Sequence, residues 1–238
     1  MPNLTATSSL ADVAEILHAA AVLGPAAWNG QSHKGTTMEP NIEAKLREDI
    51  AALFQVLHER SLPYVLVGGI AMLAYVEGRN TQDLDLVLSL ASLKKLPEIV
   101  LSDHNAEFAR GKFGTLRVDV LLADNPLFRL VQEKHTATRR LFGIDIRCAT
   151  VEGLILLKLY ALPSLYRQGD GQRIGLYEND VFMLCERHRP DMAPLLNALE
   201  PYVEIGPMSE LRSIVADIRR RIERVDRARR EGKPNSGA

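Results

Sequence analysis

The run YVLVGGIAMLAYVEGRNTQDLDLVLS, residues 64–89, restricts the possible folds of this chain more than any other stretch. YVLV is apolar and rich in β-branched residues, and Gly68 and Gly69 end it. IAMLAYVEG then reads as a short helix closing at Gly78, and DLDLVLS reads as a second strand. Strand, glycine turn, helix and strand in this order belong to a sheet with helices packed on it. The second strand is interrupted, however. Side chains alternate along a strand, so Asp83 and Asp85 share one face and Leu84 and Leu86 the other, with successive same-face positions ~7 Å apart. Two anions that close repel, and burial raises the penalty. Something positive has to accompany them.

A third acid sits in a comparable place. In FGTLRVDVLLA, Asp119 lies between Val118 and Val120 on an apolar strand. If the two strands are neighbours, Asp83, Asp85 and Asp119 converge on one patch. A hard, oxygen-seeking divalent ion such as Mg²⁺ suits such a carboxylate set, and two ions suit in-line phosphoryl chemistry. Gly68-Gly69 adds to this, because glycines between a strand and a helix leave backbone N–H groups open to a phosphate. An acid-x-acid pair by itself also occurs at strand ends and on surface strands, so the spacing to the glycines carries the weight. Between the motifs, Arg79 can meet phosphates or pair with the aspartates. Thr81 shares the face of Asp83 if the strand starts early. Both also have plain structural readings.

The rest of the chain divides in two. From Asn41, Ile42, Leu46, Ile50, Leu53 and Leu57 recur at helical spacing. SLKKLPEIVLSD is expected to be a helix containing a proline, and LFGIDIRCAT a fourth strand. After Thr150 the strand signals stop, and VEGLILLKLYALPSL, GLYENDVFMLCERH, APLLNALEPYV and SELRSIVADIRRRIERV all read as helices. The expected organisation is an N-terminal extension (1–40), an α/β core (41–150), a helical domain (151–230) and a disordered tail (231–238). The extension combines a short helical pattern at Leu10, Val13, Ile16 and Leu17 with a flexible, turn-rich segment.

With 46% hydrophobic residues and a formal net charge of −1, no global field points to nucleic acid or membrane. The stretch RRRIERVDRARREGK is strongly basic and reads either as a guide for phosphates or as the solvated face of a last helix. The two cysteines, Cys148 and Cys185, have no metal-binding spacing and are expected to be buried thiols. No apolar run approaches the ~18 residues of a membrane span, and the N-terminal residues lack a basic leader. A cytoplasmic protein without membrane contact is expected.

The motif LVGGIAMLAYVEGRNTQDLDLVLS with the later LRVDVLL resembles the nucleotidyltransferase superfamily of the DNA polymerase β-like fold. Arg-x-Thr before Asp-x-Asp makes it most similar to the minimal AbiEii/MenT-like enzymes, over roughly residues 41–225. The resemblance implies an α/β (α+β) fold, with a small mixed-sheet nucleotidyltransferase core followed by an all-helical half. It also implies a Mg²⁺- or Mn²⁺-dependent, toxin-type enzyme. Such an enzyme moves a nucleotide from an NTP, ATP among the candidates, to an acceptor hydroxyl, with RNA (the 3′ end of tRNA) the favoured acceptor and an antitoxin protein a candidate partner.

Under that resemblance Asp83, Asp85 and Asp119 hold the metals. Gly68, Gly69, Arg79, Thr81 and Lys158 bind nucleotide, and Asp180 completes the pocket. On residues alone, Lys158 equally reads as a lysine snorkelling from an apolar helix, and Asp180 as a local cap or ion-pair partner. The sequence departs from the usual pattern at Ile70, where a polar residue is customary, so any phosphate contact there is made by backbone. Arg167 and Arg173 are further phosphate candidates among which the sequence does not choose. Two rival functions remain: a non-catalytic nucleotide- or RNA-binding protein of the same fold, which the presence of all three acids disfavours, and an adenylyltransferase of a small molecule.

Overall fold

The computed structural model describes residues 40–77, 83–141 and 143–231. The pattern at Leu10 to Leu17, Arg79, Thr81 and the tail from 232 lie outside them. The chain divides into two compact units, with the division between Thr150 and Val151.

The first unit opens with helix α1 (Pro40–Glu59). Leu46, Ile50, Leu53 and Leu57 fall on one side of it at helical spacing and are buried. Full burial of such a side chain is worth about 1.5–3 kcal/mol. The strands follow as β1 (Tyr64–Val67), β2 (Leu84–Leu88), β3 (Ile99–His104), β4 (Phe108–Phe113), β5 (Leu116–Leu122), β6 (Thr136–Leu141) and β7 (Ile144–Ala149). They form one seven-stranded sheet in the order β3-β4-β5-β2-β1-β7-β6. β2 runs parallel to β5 and β1 parallel to β7, while the other pairs are antiparallel. Three short helices, α2 (Gly68–Met72), α3 (Leu90–Leu93) and α4 (Pro126–Lys134), interrupt the strands.

The mixed α/β class is as expected, but the sheet has more strands than the four read from the sequence, and one expected helix is overturned. Where SLKKLPEIVLSD suggested a helix, the chain makes only the single turn of α3 and then strand β3. Ser89 starts α3 by accepting a hydrogen bond from the Ser92 N–H at 3.0 Å. Pro97 then bars helix continuation, and Ile99 and Val100 pair with Phe113 and Lys112 of β4. The helix expected over IAMLAYVEG is likewise shorter, ending at Met72 with 73–75 in a turn, and the expected stop at Gly78 lies outside the described residues. Tyr75 fixes that turn by donating its hydroxyl to the Ala149 carbonyl at 2.8 Å.

The β4–β5 turn is anchored from outside the sheet. Asp49 of α1, 5% exposed, accepts from both the N–H and the hydroxyl of Thr115 at 2.6 Å. Gly114 beside it has φ of 59°, and a Cβ there would lie 2.5 Å from the Asp49 carboxylate. Glycine is therefore needed on both counts. Burial alone raises the Asp49 pKa, but the Thr115 hydrogen bonds and Lys45 at 3.3 Å outweigh it, so the group sits below its ordinary 3.8. A folded-state pKa below the unfolded one gives stability that is complete above the unfolded value and lost as pH falls through the folded value. Asp49→Ala is expected to lose about 1.5–3 kcal/mol at neutral pH, the range for hydrogen bonds to a charged group. Urea melts at pH 7 and near pH 3 check this, because the gap to wild type should narrow as the pH falls below 3.8.

The second unit is helical throughout its described residues: α5 (Val151–Gln168), α6 (Gly171–His188), α7 (Met192–Leu199), a 3₁₀ turn (Glu200–Tyr202) and α8 (Ile205–Glu231). Asp170 and Asp191 cap α6 and α7 by accepting from the N–H groups of Arg173 and Ala193, both at 3.0 Å. Met208, Leu211, Val215, Ile218 and Ile222 form the buried stripe of α8. Among the described residues no helix is long and apolar enough to cross a membrane. Cys148 and Cys185 are free and buried, and burial pushes their thiols up to about 12 and about 11, so neither is a nucleophile at neutral pH.

Candidate active site

The registers of β2, β5 and β4 arrange side chains in rows across one face of the sheet. Val87, Leu121 and Phe108 make an apolar row. One step along, Asp85 lies opposite Asp119, and Asp119 opposite Arg110. Beyond them, Arg117 lies opposite Lys112, and Asp83 stands immediately before β2 beside Arg117. Alternation puts Leu84, Leu86, Val118 and Val120 on the other face, where all four are buried. The apolar positions thus fix the register, and the register fixes the carboxylates.

The structure brings Asp83, Asp85 and Asp119 together and adds two cations absent from the sequence reading. Arg117 Nε lies 2.9 Å from Asp83 Oδ1, within ion-pair distance although not aligned for a hydrogen bond. Arg110 Nε lies 3.5 Å from Asp119 Oδ2. Arg117 had a sequence signal, since in LRVDVLL it stands two residues before Asp119 and so on its face. Arg110 had none, because only the β4–β5 pairing brings it there.

Gly68 meets the carboxylates from the other side. β1 is antiparallel to β2 with Val67 opposite Asp85, so the chain leaves β1 beside that aspartate. Gly68 has φ of 64°, and a Cβ built on it would lie 2.0 Å from Asp85 Oδ2. No other residue type fits there without displacing the carboxylate. Helix α2 has only five residues, so its macrodipole is small. What the turn offers is backbone N–H groups, for no side chain caps this helix.

Lys158 and Asp180 lie in the second unit and pair with each other. Lys158 Nζ is 2.7 Å from Asp180 Oδ2, and both residues are buried. The Tyr177 ring lies 4.1 Å from the same ammonium. Lys158 is therefore not a snorkelling surface lysine. Arg173 lies 3.6 Å from Asp170, at the start of α6 rather than in a loop. As far as Glu231 the basic stretch lies on α8, where Arg220 pairs with Asp217 and Arg229 with Glu186 of α6, while its own Asp226 pairs with Arg189. Arg79 and Thr81 lie outside the described residues.

Among the described residues, no three His, Cys, Asp or Glu side chains are grouped ready to hold a metal ion. The donor chemistry still fits a hard divalent cation, because three carboxylates share a face and Asp85 and Asp119 sit on strands ~4.8 Å apart. The two observations reconcile through side-chain direction: Asp83 and Asp119 are drawn toward guanidinium groups. The backbone register suits an ion, and the side chains would have to turn to meet it.

No protein-family model matches the chain, and no curated protein does. Among solved structures, the chain is similar to an antigenic nucleotidyltransferase-like protein from Paracoccidioides brasiliensis, with a TM-score of 0.52 and 18% identity over 78% of this chain and 92% of that one. Fainter likenesses are to the antibiotic-resistance factor ANT(2'')-Ia in solution (TM-score 0.44, 16% identity, 77% and 96% covered) and to ANT(2")-Ia with adenylyl-2"-tobramycin (0.45, 15%, 72% and 95%). At these identities the likeness is one of fold. The chain has a nucleotidyltransferase-like fold.

Proposed function

We propose that this chain is a Mg²⁺- or Mn²⁺-dependent nucleotidyltransferase that moves a nucleotide from an NTP to an acceptor hydroxyl. The observation that carries the reading is the close packing of Gly68 on Asp85, with Asp119 in register beside it. An uncapped glycine turn and two facing carboxylates then occupy one end of one sheet face.

In this reading Asp83, Asp85 and Asp119 hold the divalent cation, which when bound neutralises triphosphate charge and favours the ionised acceptor oxygen. Gly68 and Gly69 present N–H groups to phosphate oxygens. Asp119 orients the acceptor hydroxyl and accepts its proton. The acceptor oxygen forms a bond to the α-phosphorus while the bond to the bridging oxygen breaks, and pyrophosphate leaves. Positioning and charge complementarity supply most of the acceleration. Lys158 and Asp180, paired at 2.7 Å, are assigned to nucleotide binding on the resemblance alone.

The acceptor we favour is RNA at a 3′ hydroxyl such as that of tRNA, on the resemblance stated above. The same resemblance supports a toxin-type role with an antitoxin protein as partner. Incubation of the protein with each labelled NTP, Mg²⁺ and total RNA tests the proposal. Label is expected on RNA with wild type and not with Asp83→Ala. Label that reaches no RNA under any NTP sinks the RNA reading. Label on neither RNA, protein nor small molecules sinks the enzyme.

A further inference from the structure

The open face carries cations among its carboxylates. Among the described residues of its two charged rows, Arg110, Lys112 and Arg117 stand with Asp83, Asp85 and Asp119, and Asp103 of β3 lies opposite Arg110. Formally that set carries one negative charge. A divalent cation added to it leaves a surplus of one positive charge, the sign that a triphosphate requires. A guanidinium cannot shed its proton in a protein, so its charge persists whatever its partner. Its planar fork fits carboxylate and phosphate oxygens alike.

We propose that Arg117 and Arg110 are exchange counter-ions: they pair with Asp83 and Asp119, yield those carboxylates to an incoming divalent cation, and then grip phosphate oxygens of the nucleotide. This rests on the nucleotidyltransferase reading and adds two phosphate-binding residues to it. Three features carry it. Both arginines come from the strands on the outer side of Asp85, β5 and β4, so the register keeps their backbones within reach of the site. Their side chains are 60% and 52% exposed and so have room to turn. Their carboxylate partners are the ones needed to complete a ligand set around Asp85. An ion and the two guanidiniums therefore compete for the same oxygens.

Competition gives a readout with opposite signs. Mn²⁺ binding to the full chain, followed by electron paramagnetic resonance, should tighten about two- to fivefold in Arg117→Gln and in Arg110→Gln, the range for removal of an exposed ion pair. Affinity for α,β-methylene analogues of the four NTPs, measured in saturating Mn²⁺, should weaken about tenfold or more in the same variants, as for loss of a charged hydrogen bond. Arg117→Lys keeps the charge and should leave Mn²⁺ affinity near wild type while losing part of the nucleotide affinity. Circular-dichroism melts verify that each variant is folded.

Mn²⁺ affinity unchanged or weaker in both glutamine variants overturns the exchange, as does unchanged nucleotide affinity. Wild type that binds no Mn²⁺ overturns the metal-dependent reading as well. The wild-type measurement thus separates the two failures.

Discussion

Asp85→Asn is expected to reduce nucleotide transfer by about three orders of magnitude or more, the scale on which charge-stabilising parts of phosphoryl-transfer sites act. The reason is local. Asp85 is the carboxylate pressed against the glycine turn and in register with Asp119, so the proposed phosphate cradle and the proposed ligand set both depend on it. Asparagine keeps the shape and removes the charge, so the melting temperature should stay close to wild type. Gly68→Ala should reach the same loss from the backbone side, because its Cβ would occupy the carboxylate position at a positive φ. This second variant should also melt earlier. Labelled-NTP transfer and thermal melts on both variants check the pair. Activity within tenfold of wild type in Asp85→Asn would remove that residue from the site.

The second large effect falls on stability. Asp180→Ala removes the carboxylate that lies 2.7 Å from the buried Lys158 ammonium. Breaking a buried pair by removing one partner costs about 3–5 kcal/mol. Domains are typically stable by only about 5–15 kcal/mol, so much of the protein's margin would go. The double variant Lys158→Met with Asp180→Leu should recover most of that loss, since a buried pair replaced by apolar side chains of similar size is often neutral or better. It also separates two roles that the sequence left open. If the pair only builds the helical unit, the double variant folds and transfers nucleotide. The proposed nucleotide-binding role instead requires a folded protein that transfers little or nothing.

What the sequence made legible follows from where burial leaves a pattern. β2 and β5 alternate because one face of each is fully buried, and their aspartates stood out against that alternation. β3 and β6 are the two edges of the sheet. An edge strand need not bury a complete face, and TATRRL in β6 carries no hydrophobic period at all. β4 does alternate in burial, but its buried interior positions are Ala109 and Gly111, too small to register as apolar. Gly111 is there because a Cβ would lie 2.6 Å from the Val100 carbonyl. Helix α4 was legible in principle, since Asn125-Pro126 is a cap followed by a first-turn proline. The glycine turn and three acids of the site could be read from spacing. The arginine partners depended on strand pairing, most of all Arg110, which lies on a strand that the hydrophobic pattern concealed.

The carboxylate rows also set what kinds of sequence change the protein can survive. Asp85 and Asp119 face each other only because Leu84 pairs with Val118 and Leu86 with Val120. One residue inserted or deleted within 84–88 would slide leucines into the open rows and turn aspartates into the core. Connecting segments can change length or composition without altering that pairing. Over long divergence the loops are free to drift in length, whereas the short strand between Leu84 and Leu88 can accept substitutions but no change in residue count.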